Sequence, residues 1–189
     1  IVKNSRSNYP STRFSLPSTF NMEYLTSSAL EYTRELAERN KAALFLKERG
    51  YQFVFVGSGS SVMTGEEADV SFTSSDFHRI MQSITALGPF MNPRTKVLNA
   101  FSDIEKAAKL PGPKFVIVHI LIPHVPYVFG EQGEYIGVNP GQKDTPRDME
   151  LYLGQLKFAD KKFKTAVEAI LKVSPTPPVI VIQSDHGVH

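Results

Sequence analysis

Three short runs of β-branched and aromatic residues constrain this chain most: Phe53-Val54-Phe55-Val56, Phe115 to Ile122, and Val179-Ile180-Val181-Ile182. None of them alternates apolar with polar side chains. A strand with one wet face shows that alternation, whereas a strand covered on both faces, as in a parallel sheet, does not. Segments with helical spacing lie between the runs. Phe77, Ile80, Met81, Ile84 and Leu87 recur at three- and four-residue intervals behind Ser74 and Ser75, which can cap a helix start. Asp148 to Val173 carries Tyr152, Leu156, Ala159, Phe163, Val167 and Ile170 on one stripe, with Lys157, Lys161, Lys162 and Lys164 on a solvated opposite face. Ser28 to Arg49 is rich in helix formers and reads as one helix, or two broken near Asn40, with Glu35 and Arg39 spaced for an ion pair. Helix alternating with buried strand predicts an α/β fold, a mostly parallel sheet with helices on both faces. Gly57 to Thr73 and Gly130 to Arg147 read as irregular. The second, about eighteen residues long, has the size of a functional or mobile loop.

The chain has 189 residues, 41% of them hydrophobic, which is enough apolar material for a core, so residues 1–189 read as one α/β domain. Cys is absent, which removes thiol catalysis and Cys-based zinc sites. Lys and Arg number 21 against 19 Asp and Glu, for a net charge of +2; that balance predicts no nucleic-acid partner and no general membrane-surface binding. The longest strongly apolar run, Phe115 to Ile122, is interrupted by His119 and falls far short of the roughly 18 residues needed to cross a bilayer. The chain starts at Ile1 with no signal pattern behind it, so it reads as a piece of a longer polypeptide.

In open parallel sheets ligands bind outside the carboxyl ends of strands, where loops diverge and helix N-termini point N–H groups outward. The last run exits into Gln183-Ser184-Asp185-His186-Gly187. That places a hard oxygen donor beside a nitrogen donor, the start of a zinc or manganese site, or equally a helix cap followed by a turn. The middle run exits through Pro123-His124-Val125-Pro126, where two prolines stiffen the backbone and fix the direction of the His124 imidazole. His119, inside that run, reads as a core histidine. Gly57-Ser58-Gly59-Ser60-Ser61 has neither a Walker lysine nor a GxGxxG pattern and reads as a flexible loop. Ser7 to Ser18 is dense in hydroxyls, with Thr12 ahead of a helix predicted from about Pro17 to Leu25. A hydroxyl in that place is either an activated nucleophile or part of an ordinary capping segment.

Taken in order, Tyr9 to Asn21, Ile122-Pro-His-Val-Pro126 and Val179 to Gly187 resemble the alkaline phosphatase and sulfatase superfamily. The resemblance is to the sulfatase-like hydrolase/transferase branch, which includes phosphoethanolamine transferases and lipoteichoic acid synthases. It implies an alkaline-phosphatase-like core, with Asp148 to Val173, including Tyr152 and Asp160, as the long helix before the last strand. It implies Thr12 as nucleophile forming a phospho-enzyme, His124 as a substrate-binding residue, and Asp185, His186 and Thr12 as ligands of a divalent metal, zinc or manganese. The substrate so implied is a phosphorylated or anionic small molecule or lipid. The setting is an extracytoplasmic domain of a bacterial protein whose other segments cross the membrane. The branch also has a first strand ending in Asp or Glu before the nucleophile and a further His beyond Asp-His-Gly. Ile1 lies too late for the first, and His189 lies too near His186 to serve as the second, so the resemblance implies a core fragment that binds metal weakly by itself. Sulfatases proper use a Cys or Ser in a C/S-x-P-x-R setting, a pattern that the Thr12 segment lacks. The competing expectation is a non-catalytic α/β module for an anionic head group, with the Gly130 to Arg147 loop exposed.

Overall fold

A computed structural model describes residues 6–59, 62–73, 93–141 and 145–187. The helix expected over Phe77 to Leu87 lies outside them. The chain opens with α1 (Thr12–Asn21), a 3-10 turn (Ser28–Glu31), α2 (Thr33–Glu38) and α3 (Lys41–Lys47). Then come β1 (Gln52–Gly57), β2 (Val70–Phe72), α4 (Pro93–Ala108), β3 (Lys114–His119), β4 (Tyr127–Phe129), β5 (Tyr135–Asn139) and α5 (Pro146–Val173). Strands β2, β1 and β3 form a parallel sheet in that order, with β1 central. β4 and β5 form a separate antiparallel pair.

Residues along β1 alternate between the two faces of the sheet, and both faces are apolar because helices cover both. Val54 and Val56 pack against Val97, Ala100, Phe101 and Ile104 of α4, in a cluster that also takes Phe129 and Phe158. Phe53 and Phe55 face the other way, onto Ala43 of α3, Met63 and Ile117, with Phe20 of α1 packed behind. Each of these fully buried Phe side chains contributes about 1.5–3 kcal/mol of transfer free energy. The α/β class with helices on both faces is therefore the observed one. Gly65 is required where it stands: its φ is +77°, and a Cβ there would lie 2.5 Å from Phe55 Cδ1.

Several local expectations are corrected. The first helix begins at Thr12 and not at Pro17, because Ser11 is extended and Pro17 is accommodated inside the helix, buried; Met22, in the left-handed region, ends it. Ser28 to Arg49 does break near Asn40, whose buried side chain accepts from Ala43 N at 2.9 Å and starts α3. Arg39 lies past the end of α2 and pairs with Glu67 at 3.6 Å instead of Glu35. The stretch from Gly57 to Thr73 contains β2, and Gly130 to Arg147 contains β5, so neither is wholly irregular. β3 ends at His119, three residues short of the expected Ile122. The long helix is present, capped by Thr145, which accepts from Asp148 N at 3.1 Å. Lys157 and Lys161 are exposed as expected, beside Glu131.

The largest correction concerns Val179 to Ile182, which is not a strand. Val179 is 95% exposed, Val181 76% and Ile182 59%. β-branched residues favour a strand only where a neighbour offers ladder hydrogen bonds and a face to pack on, and no described strand lies alongside this run. An exposed apolar run of this composition favours self-association. The double substitution Val179→Lys with Val181→Lys is expected to raise the monomer fraction in light scattering at high protein concentration. The same variant should change unfolding stability by no more than about 0.5 kcal/mol, as surface substitutions usually do.

Candidate functional site

The exit of β3, the first turns of α1 and the segment 183–187 meet at one end of the parallel sheet. Ser15, 1% exposed, donates its hydroxyl to the backbone carbonyl of Asp185 across 170 positions of chain. That bond fastens the Asp185-His186 pair to α1. Thr12 is the first residue of α1, one turn before Ser15, and residues three apart share a helix face. The hydroxyl of Thr12 makes no hydrogen bond to a described residue, and Ser11 makes no side-chain cap; Phe14 N and Ser15 N donate to the Ser11 carbonyl, which leaves the N–H groups of Thr12 and Arg13 at the helix start.

The Asp185 carboxylate approaches the His186 ring, with Oδ2 3.7 Å from Nε2. His186 donates Nδ1–H to the Gly187 carbonyl at 2.7 Å, which fixes the ring and leaves Nε2 as the nitrogen on the Asp185 side. Asp185 Oδ2 is buried without a hydrogen-bond partner, and so is Nδ1 of His119. His119 is the last residue of β3, in register with Gly57 of β1, so its imidazole stands at the strand exit and not inside the core. Burial pushes the His119 pKa below its ordinary 6.5; the Asp185 charge opposes this and the His186 charge adds to it, so the three side chains feel one another.

The sign of that shift sets a pH dependence. Unfolded His119 takes a proton near its ordinary 6.5 and the folded residue does so only at lower pH. Between those values the unfolded chain binds more protons, so stability is constant above the unfolded value and falls as pH drops through the window. His119→Gln is expected to flatten the stability profile measured by urea unfolding below about pH 6.5.

His124 is exposed on the loop after β3. Its Nδ1–H donates to the Val125 carbonyl at 2.6 Å, and its own carbonyl accepts from Gln155 Nε2 at 3.0 Å. The peptide bonds Ile122-Pro123 and Val125-Pro126 on either side are cis. No hydrogen bond or ion pair joins the ring to Thr12, Asp185 or His186; the structure brings Ser15, His119, Asp185 and His186 to one place, with Thr12 a turn away, and His124 on the adjoining loop. His119 and Ser15 are the residues that sequence reasoning passed over. The available signal was the three-residue step from Thr12 to Ser15; the place of His119 depends on where pairing with β1 stops.

Among the described residues no three His, Asp or Glu side chains converge closely enough to hold a metal ion. The donors present nevertheless suit a divalent cation. A buried carboxylate oxygen without a donor is costly, and a cation beside it removes that cost. A carboxylate, an imidazole and a hydroxyl form a mixed oxygen and nitrogen set of the kind that zinc and manganese accept. In comparisons with known proteins, the model of the family described as Sulfatase matches residues 1–189. Curated proteins and solved structures give no match.

Proposed function

The chain belongs to the sulfatase family, and we propose that within it the site handles phosphoryl esters, as a metal-dependent hydrolase or transferase with Thr12 as nucleophile. The observation that carries this is the Ser15 hydrogen bond to Asp185, which ties the helix that starts at Thr12 to a carboxylate with an unpartnered buried oxygen. Asp185, His186 and Thr12 are the residues that would hold zinc or manganese. Such an ion supplies positive charge that favours an alkoxide and shields an ester anion.

The Thr12 hydroxyl gives its proton to solvent and its oxygen attacks phosphorus in line; a new P–O bond forms as the bond to the leaving oxygen breaks, the leaving oxygen takes up a proton, and a phosphothreonine results. The first N–H groups of α1 point at the developing charge, where the helix dipole also favours it. His124, on the adjoining loop with Nδ1–H engaged by Val125, donates Nε2–H to a nonbridging or leaving oxygen when the ring is the imidazolium, which carries a proton on both nitrogens. Water or an acceptor alcohol then resolves the phosphothreonine. A phosphorylated small molecule or lipid head group is the substrate class, and an extracytoplasmic setting belongs to the same proposal. No helix among the described residues is long and apolar enough to cross a membrane.

The test is to incubate the full-length protein with an aryl phosphate and zinc or manganese, quench in acid and map modified peptides by mass spectrometry. A phosphoryl group on Thr12, absent when a chelator is added first, is the expected result. Turnover that ignores the chelator and leaves Thr12 unmodified would remove the proposal.

A further inference from the structure

We propose that a cavity at the exits of β1 and β3 binds a small amphiphilic anion, with its alkyl part inside and its carboxylate or phosphate head against Lys96. The cavity offers about 190 Å³, open to solvent on one side, between the β1 exit, the loop after β3 and the first turns of α4. At about 30 Å³ per water molecule, that is roughly the space of six waters. The larger part of its walls is apolar: Val97 of α4, Leu121 and Ile122 after β3, and Val128 and Phe129 of β4. Two of the polar side chains along the walls are already engaged by the protein. Ser58 Oγ accepts from Leu121 N at 2.7 Å, and Gln155 uses its amide on Val128 N, Phe129 N and the His124 carbonyl.

Among the described residues, Lys96 is the charged one on this lining. It makes no hydrogen bond or ion pair with any described residue, and its Nζ lies 3.8 Å from where a Cβ on Gly59 would stand. The ammonium therefore overlies the Gly59 backbone, which adopts a φ of +105°, at the rim of an apolar cavity. An uncompensated cation beside an apolar space selects a ligand with both characters, and a neutral or purely ionic molecule satisfies only one of them. The place is also the carboxyl edge of a parallel sheet, where such ligands bind. Thr12, His119, Asp185 and His186 do not line the cavity, so this inference is independent of the ester chemistry proposed above.

Calorimetric titration of the full-length protein with hexanoate, hexyl phosphate, hexanol and inorganic phosphate tests it. Hexanoate and hexyl phosphate should each saturate one site, with hexanol and inorganic phosphate at least about tenfold weaker. Lys96→Gln should weaken both amphiphiles about tenfold and bring them level with hexanol. Val125→Trp places bulk at the rim, at a residue already 37% exposed, and should block both, while thermal melting confirms that the variant folds. Thr12→Ala should leave hexanoate affinity unchanged. Inorganic phosphate binding as tightly as hexyl phosphate would overturn the proposal by leaving the cavity no role, and hexanol matching hexanoate would do so by leaving Lys96 none. Loss of hexanoate binding in Thr12→Ala would move the ligand to the other site, and unchanged binding in Val125→Trp would place it outside the cavity; either result overturns the proposal.

Discussion

Gln155→Leu should destabilise the fold by about 3–4 kcal/mol, seen as a lower urea midpoint with an unchanged slope. Gln155 is 1% exposed on the inner face of α5. Its Oε1 accepts from Val128 N at 2.9 Å and Phe129 N at 3.2 Å, and its Nε2 donates to the His124 carbonyl at 3.0 Å. Leu fills nearly the same volume, so the change is chiefly polar. It strands two buried N–H groups of β4, each costing about 1–3 kcal/mol when no partner replaces the lost one. The Phe129 and Phe158 rings stack at 4.4 Å beside this contact. The His124 carbonyl lies on an exposed loop and can turn to solvent, so it adds little. Thr165→Ala, on the wet face of the same helix, should stay within about 0.5 kcal/mol. A loss below about 1 kcal/mol in Gln155→Leu would mean that β4 finds other acceptors.

What the sequence shows of this fold depends on how local the cause is. β1 and α5 are legible because a run of buried apolar residues and a capped amphipathic stripe are properties of neighbouring positions. β2 and β5 are not, since Val70–Phe72 exists only through its parallel register with β1, and Tyr135–Asn139 only through its pairing with β4. Val179 to Ile182 shows the converse: its residues favour a strand, but nothing described lies beside it to make one. The start of α1 is obscured by Pro17, which looks like a first-turn residue and sits inside the helix instead.

The site divides in the same way. Asp185 and His186 are adjacent in the chain and their pairing can be read directly, whereas the Ser15 bond that holds them against α1 joins residues 170 positions apart. His119 looks like part of the core because its neighbours are apolar. Its place at the strand exit is set by where pairing with β1 stops, at Gly57, and a single run of residues does not carry that information. His124, singled out by its flanking prolines, has its ring held by its own loop and not by the residues with which the resemblance groups it.

Thr12→Ala should lower turnover of an aryl phosphate by about four orders of magnitude or more, since it removes the attacking oxygen while the Ser15 hydroxyl a turn away is buried and committed to the Asp185 carbonyl. Thr12→Ser should keep activity within about a hundredfold, because the attacking oxygen survives and only the methyl group that restricts its rotamer is lost. Neither change should disturb folding. Thr12 is partly exposed at the first position of α1, and its hydroxyl bonds to no described residue, so thermal unfolding should move by less than about 1 kcal/mol. That separation of activity from stability is what a nucleophile predicts and a capping residue does not: a cap lost to Ala costs stability of about 1 kcal/mol and leaves chemistry intact. Ser15→Ala supplies the contrasting case. It leaves the Thr12 oxygen in place but releases Asp185, so it should weaken zinc or manganese affinity by calorimetry while phosphothreonine still forms at saturating metal. A Thr12→Ala protein that turned over at the native rate and still lost activity to a chelator would instead make water the attacking group, and α1 would then serve only to hold Asp185 in place.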